Sequence, residues 1–294
     1  MSDAIKQNVQ WFPGHMAKTR RIIKESLKKV DGAVVILDAR IPESSRNPEI
    51  DSIIDGKPAI YILNKSDLAD PEITKKWLEF YRSSGVTAIA VDCTDSKWAA
   101  SFRKLVSQVL EKKIKNNEEK GMAGKKIRLM ILGIPNTGKS TFINRLSGNS
   151  KAKAEDRAGV TKQSSWYVCG GNIEVLDTPG VLWPKFDDEK VGDKLAFTGG
   201  IKDNVFDVET LAVRFLEIIK KYYPERLAER YKFKDKDEFE RLEPFEILEE
   251  IGRKRGFLMR GGLVDTEKAA NVLFDEYRAG KLGKITLESP EDFI

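Results

Sequence analysis

The 294-residue chain has only two cysteines, Cys93 and Cys169, and a single histidine, His15. So few thiols exclude a disulfide framework and a zinc cluster, and a reducing cytoplasm is the expected compartment. Long apolar runs are missing as well, the longest purely aliphatic one being Val34 to Leu37. A membrane-spanning helix needs roughly 20 apolar residues, so none is expected. The first residues include Asp3 and Lys6 without an apolar stretch, so no secretory signal is expected either. Repeats and low-complexity tracts are also absent. What remains, 40% apolar and 33% charged, suffices for one large core or two modest ones.

The net charge of +5 is unevenly distributed. Residues 1–30 hold Lys6, Lys18, Arg20, Arg21, Lys24, Lys28 and Lys29 against Asp3 and Glu25. Residues 112–128 hold Lys112, Lys113, Lys115, Lys120, Lys125, Lys126 and Arg128 against Glu118 and Glu119. Each segment is net +5 and the rest of the chain is net −5. Such segments on a mildly acidic body suit a polyanion such as nucleic acid, or are two solvated lysine-rich faces.

Met16 to Val30 has helical periodicity, with Met16, Ile23, Leu27 and Val30 on one side and Lys18, Arg21, Lys24 and Lys28 largely on the other. Ala33 to Leu37, Ala59 to Leu63 and Ala88 to Val91 are strand-sized apolar runs separated by helical patterns, as in parallel βαβ units. Ser101 to Lys113 reads as a helix, and the polar residues from about 114 to 126 read as a linker. Ile127 to Leu132 is a further strand, and Ser165 to Cys169 and Ile173 to Leu176 form a hairpin around Gly170-Gly171-Asn172. Beyond about residue 205 strand-type runs nearly vanish, and Val208 to Tyr223, Phe245 to Ile251 and Thr266 to Ala279 read as helices. The expected architecture is a doubly wound, mostly parallel α/β domain over residues 1–200, followed by a smaller all-α domain over 205–294.

Gly133-Ile134-Pro135-Asn136-Thr137-Gly138-Lys139-Ser140 has the form G-x-x-x-x-G-K-[ST], between a strand and a helix that starts at Thr141. That context presents backbone N–H groups and a positive helix end to phosphates. Lys139 is expected at the β- and γ-phosphate oxygens, and Ser140 on magnesium. Asn64-Lys65-Ser66-Asp67 has the N-K-x-D form that reads guanine: the Asp67 carboxylate can accept from N1–H and the N2 amine, and adenine would leave it unpaired. Asp177-Thr178-Pro179-Gly180 supplies a magnesium aspartate and a Gly180 N–H for the γ-phosphate. Thr161, in the loop between, is the candidate switch threonine over magnesium. The N-K-x-D motif ordinarily follows the phosphate loop; here it precedes it, as in a GTPase cut after its second switch and rejoined at its old ends.

The chain resembles the circularly permuted GTPases, most closely the ribosome biogenesis GTPase A (RbgA/YlqF) family. Trp11-Phe12-Pro13-Gly14-His15-Met16, Asp38-Ala39-Arg40-Ile41-Pro42, Gly133-Ile134-Pro135-Asn136, Asp177-Thr178-Pro179-Gly180 and Lys254-Arg255-Gly256-Phe257-Leu258-Met259-Arg260-Gly261-Gly262 carry the resemblance, nearly from end to end. It implies a GTP hydrolase acting late in large ribosomal subunit assembly, with the precursor subunit and its rRNA as partners, GTP and GDP as substrate and product, and a helical RNA-binding domain. A monomer is expected.

Many GTPases carry a water-orienting glutamine after D-x-x-G; here the position is Val181. The resemblance implies His15 for that role, where the residues alone favour a surface or capping histidine. It also implies that Asn136 helps hold a potassium ion, the plainer reading being a turn asparagine. A Ser-Ala base contact is replaced by Asp92-Cys93-Thr94, of which none is assigned. Asp38-Ala39-Arg40 reads as an ion-pair corner or an outward RNA contact. A nucleotide-gated RNA-binding placeholder with incidental hydrolysis is the alternative function.

Overall fold

The computed structural model describes residues 21–54, 56–148, 165–180, 188–201, 206–233, 239 and 241–293. His15, Thr161, Val181 and the first turn of the basic helix lie outside them. The chain forms two compact units, Met1–Asp187 with Glu288–Ile294, and Asp188–Leu287.

Among the described residues the first unit is built on a six-stranded sheet: β1 (Gly32–Asp38), β2 (Ala59–Asn64), β3 (Thr87–Val91), β4 (Ile127–Leu132), β5 (Ser165–Val168) and β6 (Ile173–Asp177). Their order is β3-β2-β1-β4-β6-β5, all pairs parallel except β5 with β6. Alternate residues of a strand face opposite sides, and here both sides are covered. Val34, Ile36, Ile60, Ile62, Leu129 and Ile131 pack with Phe102, Val106 and Phe142. Val35, Leu37, Tyr61, Leu63, Met130 and Leu132 pack with Ile23, Leu27, Trp77 and Tyr81 on the other face. That two-sided burial explains why the strands read as unbroken apolar runs, and it makes the sheet doubly wound as expected.

The chain runs outward from β1 to β3 and then restarts at β4 on the other side of β1. The reversal between β1 and β4 is a topological switch point, where such sheets bind ligands at the carboxyl ends of the strands. The β5–β6 hairpin closes through Gly170, Gly171 and Asn172, whose φ values of 70°, 57° and 58° are left-handed, as a Gly-Gly-Asn turn allows.

Two stretches differ from expectation. The segment read as a linker is helical over Glu111–Glu119, with Lys115 paired to Glu111 at 2.7 Å, so only its last residues form turns. The residues from Glu288 belong to the first unit, because Trp77 Nε1 donates to the Glu288 carbonyl at 3.0 Å and the Phe293 ring lies 5.7 Å from that of Trp77.

The second unit is helical: Glu189–Phe197, Val208–Tyr222, Pro224–Tyr231, Pro244–Arg255 and Thr266–Arg278. It begins at Asp188, earlier than the expected residue 205, because Phe197 packs edge-on against Phe215 at 5.2 Å and stacks with Phe274 at 5.8 Å. Asp207 and Asp265 cap their helices by accepting from Thr210 N and Lys268 N, at 3.0 and 2.9 Å. Glu276, buried, accepts from Arg230 Nη2 at 2.7 Å and Tyr231 Oη at 2.9 Å and also pairs with Arg255. Arg253 pairs with Glu249 and Glu250, and Lys254 with Glu250. Arg260 sits in an exposed loop with Leu258, Met259 and Leu263. Among the described residues no helix is long and apolar enough to cross a membrane.

Candidate functional site

The ends of five strands meet at one edge of the sheet. From β4 the chain passes through Gly133 and Gly138, with φ of 149° and 90°, into the Lys139–Ser147 helix. A Cβ on Gly133 would lie 2.5 Å from the Ile36 carbonyl oxygen, and one on Gly138 would lie 2.2 Å from Asn64 Nδ2. Only glycine permits both the dihedrals and the approach. Among the described residues no side chain caps this helix, which leaves its first N–H groups available to an anion. Thr137 Oγ1 ties the loop to itself by donating to the Ile134 carbonyl at 3.0 Å. Asn136 has a left-handed φ of 62°, and Ser140 and Thr141 are half-buried at the helix start.

Lys139 is buried, and its Nζ donates to the Ile134 carbonyl at 2.7 Å. Burial lowers its pKa to about 8, against the opposing attraction of Asp177. The Asp177 carboxyl is pushed up by burial, with Lys139 pulling it back. Among the described residues Asp177 Oδ1 is buried without a hydrogen-bond partner, an arrangement that suits a cation or a cation-bound water. At Gly180 a Cβ would lie 2.9 Å from Pro135 N and 3.0 Å from Lys139 Nζ, so the D-x-x-G backbone abuts the phosphate loop.

The N-K-x-D segment joins the same edge. Asn64 ends β2 and is buried; its Nδ2 donates to the Thr137 carbonyl at 2.7 Å, and its Oδ1 accepts from Cys93 N at 3.2 Å. The side chain thus braces the phosphate loop to the turn after β3, while Asp67 is the exposed carboxylate of the motif. Lys65, at a left-handed φ of 60°, places Nζ 3.0 Å from Asp38 Oδ2. Arg40 also binds Asp38, through Nε at 2.9 Å and Nη2 at 2.7 Å, and is itself buried. Although burial opposes ionisation, the Arg40 and Lys65 charges hold the Asp38 carboxyl far below the usual carboxylate range. The corner is therefore the ion pair, not an outward RNA contact. In the Asp92-Cys93-Thr94 turn, Asp92 Oδ1 accepts from Thr94 N at 2.7 Å and Thr94 Oγ1 at 2.6 Å.

The structure thus brings together Asn64, Lys65, Asp67, Gly133, Asn136, Thr137, Gly138, Lys139, Ser140, Thr141, Asp177 and Gly180. Sequence reasoning missed the bracing by Asn64 and the clamp of Asp38 on Lys65. The adjacency of Asp38 and Asn64 in the β1–β2 register signals the second only once the strands are paired.

Comparison with known proteins agrees with this geometry. The family described as 50S ribosome-binding GTPase matches residues 128–238. A ribosome biogenesis GTPase A of Bacillus cereus is 44% identical over 97% of this chain and 95% of its own length. That of Thermotoga maritima is 31% identical over 97% and 95%. Among solved structures, a GDP-bound YlqF superposes with a TM-score of 0.65 at 30% identity, covering 92% of this chain and all of that one. A GNP-bound YlqF from T. maritima gives 0.63 at 29% identity, with 93% and 99% covered. With motifs, sheet order and relatives in agreement over nearly its whole length, the chain belongs to the ribosome biogenesis GTPase A family.

Proposed function

We propose that this GTPase is an assembly checkpoint in late maturation of the large ribosomal subunit, binding rRNA in a nucleotide-dependent way as a cytoplasmic monomer. The observation that carries the nucleotide half is the Asn64 Nδ2 to Thr137 O hydrogen bond, which joins the guanine-reading and phosphate-binding motifs in one site. The ribosomal half rests on the relatives, which are named for ribosome biogenesis.

Asp67 accepts from the guanine edge, and the N–H groups of the loop and helix start receive the phosphates with Lys139. The buried Asp177 Oδ1, without a partner among the described residues, fits magnesium, which Ser140 and Thr161 would hold with it and which would supply charge neutralisation on the phosphate oxygens. Asn136 would hold potassium. Gly180 turns its N–H toward the γ-phosphate, supported by its close approach to Pro135 and Lys139. With Val181 unable to orient water, His15 does so once the ribosome positions it. The chain leaves Gly180 for the helical unit, so the state of the γ-phosphate is passed to the RNA-binding part by covalent continuity.

GTP turnover should rise when large-subunit precursors are added; no stimulation would refute the checkpoint. Sedimentation with those particles in GTP-analogue, GDP and nucleotide-free states tests the gating, and equal binding in all three would refute it.

A further inference from the structure

The residues that follow the helical unit end in a built contact that none of the nucleotide motifs explains. Glu288 is only 3% exposed. Its Oε1 accepts from Glu43 N at 2.5 Å and Ser44 N at 2.9 Å, and its Oε2 accepts from Ser44 Oγ at 2.6 Å. Burying a carboxylate is costly unless its lone pairs are met, and here three donors from one short corner meet them. The Trp77 indole bond and the Lys76–Glu291 pair at 2.9 Å fasten the same segment.

The corner is hydrogen-bonded as one body. Ile41 N donates to the Asp38 carbonyl, and Ser45 N to the Ile41 carbonyl, both at 2.9 Å. Asp38 N donates to Ser45 Oγ at 3.0 Å, and Arg40 N to Asp38 Oδ1 at 3.1 Å. One end of this body is therefore held by Glu288. The other end carries the carboxylate that sits 3.0 Å from Lys65 Nζ. A lysine has a long flexible stem, so an anchored carboxylate decides where its ammonium spends its time.

We propose that Glu288 is a positioning residue for guanine recognition. It holds the 41–47 corner, the corner fixes Asp38, and Asp38 orients the Lys65 ammonium within the base-reading motif. This rests on the reading of residues 64–67 as that motif. The residue before Glu288, Leu287, belongs to the helical unit. Displacement of that end of the unit therefore acts on Glu288 through one peptide bond, giving base affinity a link to the second unit separate from the one through Gly180.

The test is the dissociation rate of fluorescent GDP from the full-length protein, measured by stopped flow for E288A, E288Q, K65A and E288A/K65A. Loss of a buried, charge-assisted contact should speed release in E288A about ten-fold. E288Q, which keeps the shape and can still accept, should fall between it and the parent. If Glu288 acts through Lys65, the double variant releases GDP no faster than K65A alone. Unchanged release in E288A and E288Q, or rate increases that multiply in the double variant, would overturn the proposal. If K65A itself leaves release unchanged, the base-reading assignment falls and the proposal with it. If K65A speeds release and the Glu288 variants do not, the proposal alone falls. Should E288A fail to fold, E288Q paired with E288Q/K65A carries the same comparison.

Discussion

Asn64 is the residue whose removal most directly tests the architecture of the site. It is 2% exposed and its amide serves two backbone groups, the Thr137 carbonyl at 2.7 Å and Cys93 N–H at 3.2 Å. Asn64→Ala deletes both bonds and strips a partner from each group, where Thr137 and Cys93 are themselves 2% and 1% exposed. A buried polar group left unmet costs about 1–3 kcal/mol, so two of them, with some relief from relaxation, give a loss of about 2–4 kcal/mol. The phosphate loop also loses its tether, so GDP affinity should fall together with stability. Asn64→Asp separates the two halves of the amide: the carboxylate still accepts from Cys93 N–H but sets an oxygen against the Thr137 carbonyl. It should therefore bind GDP no better than the alanine variant. Urea unfolding of the nucleotide-free protein and calorimetric titration with GDP measure both quantities. A stability loss below about 0.5 kcal/mol with parental GDP affinity would refute the bracing role, since such a loss is within the scatter of ordinary surface changes.

Three further outcomes are expected. Lys139 falls from the usual 10.5 to about 8 through burial, so above pH 8 the nucleotide-free site must take up a proton to bind phosphate in its charged form. GDP affinity should then decline above about pH 8, and buffer-dependent calorimetric heats should reveal the uptake; equal heats across buffers would refute it. Because the unfolded lysine binds its proton more tightly, stability of the nucleotide-free protein rises over the window between those two values. Gly180→Ala places a Cβ 2.9 Å from Pro135 N and 3.0 Å from Lys139 Nζ, and should abolish the difference in particle binding between GTP-analogue and GDP states. Retention of that difference in sedimentation would refute the coupling. Glu276→Ala removes the shared acceptor of Arg230, Tyr231 and Arg255, and should lower stability by about 1–3 kcal/mol in urea. Burial opposes ionisation of Glu276, but those three partners hold its pKa below normal. Its contribution is therefore complete above the unfolded carboxylate pKa and lost as pH falls through the folded one, so the gap between parent and variant should close in acid.

The parts of the molecule legible in the sequence are those set by neighbouring residues. Two-sided burial marks β1, β2 and β4 as apolar runs, Gly170-Gly171-Asn172 announces its left-handed turn, and Asp265 announces its helix. The phosphate loop is legible for the same reason, since its glycines answer to local dihedrals and its helix begins directly after Gly138. Less legible was Glu111–Glu119, where the same charged residues that suggest a solvated linker also pair at i and i+4 and extend a helix.

The swapped order of the two motifs, and with it the class of nucleotide bound, was determined by the sequence alone, because each motif is a short run whose chemistry survives relocation. How the separated motifs became one site was decided only by the tertiary structure. Asn64 meets Thr137 across 73 positions and Glu288 meets Ser44 across 244. Such contacts leave no periodicity behind. They follow from which strand lies beside which, and a buried amide or carboxylate finds its partners only after the sheet has brought them within reach.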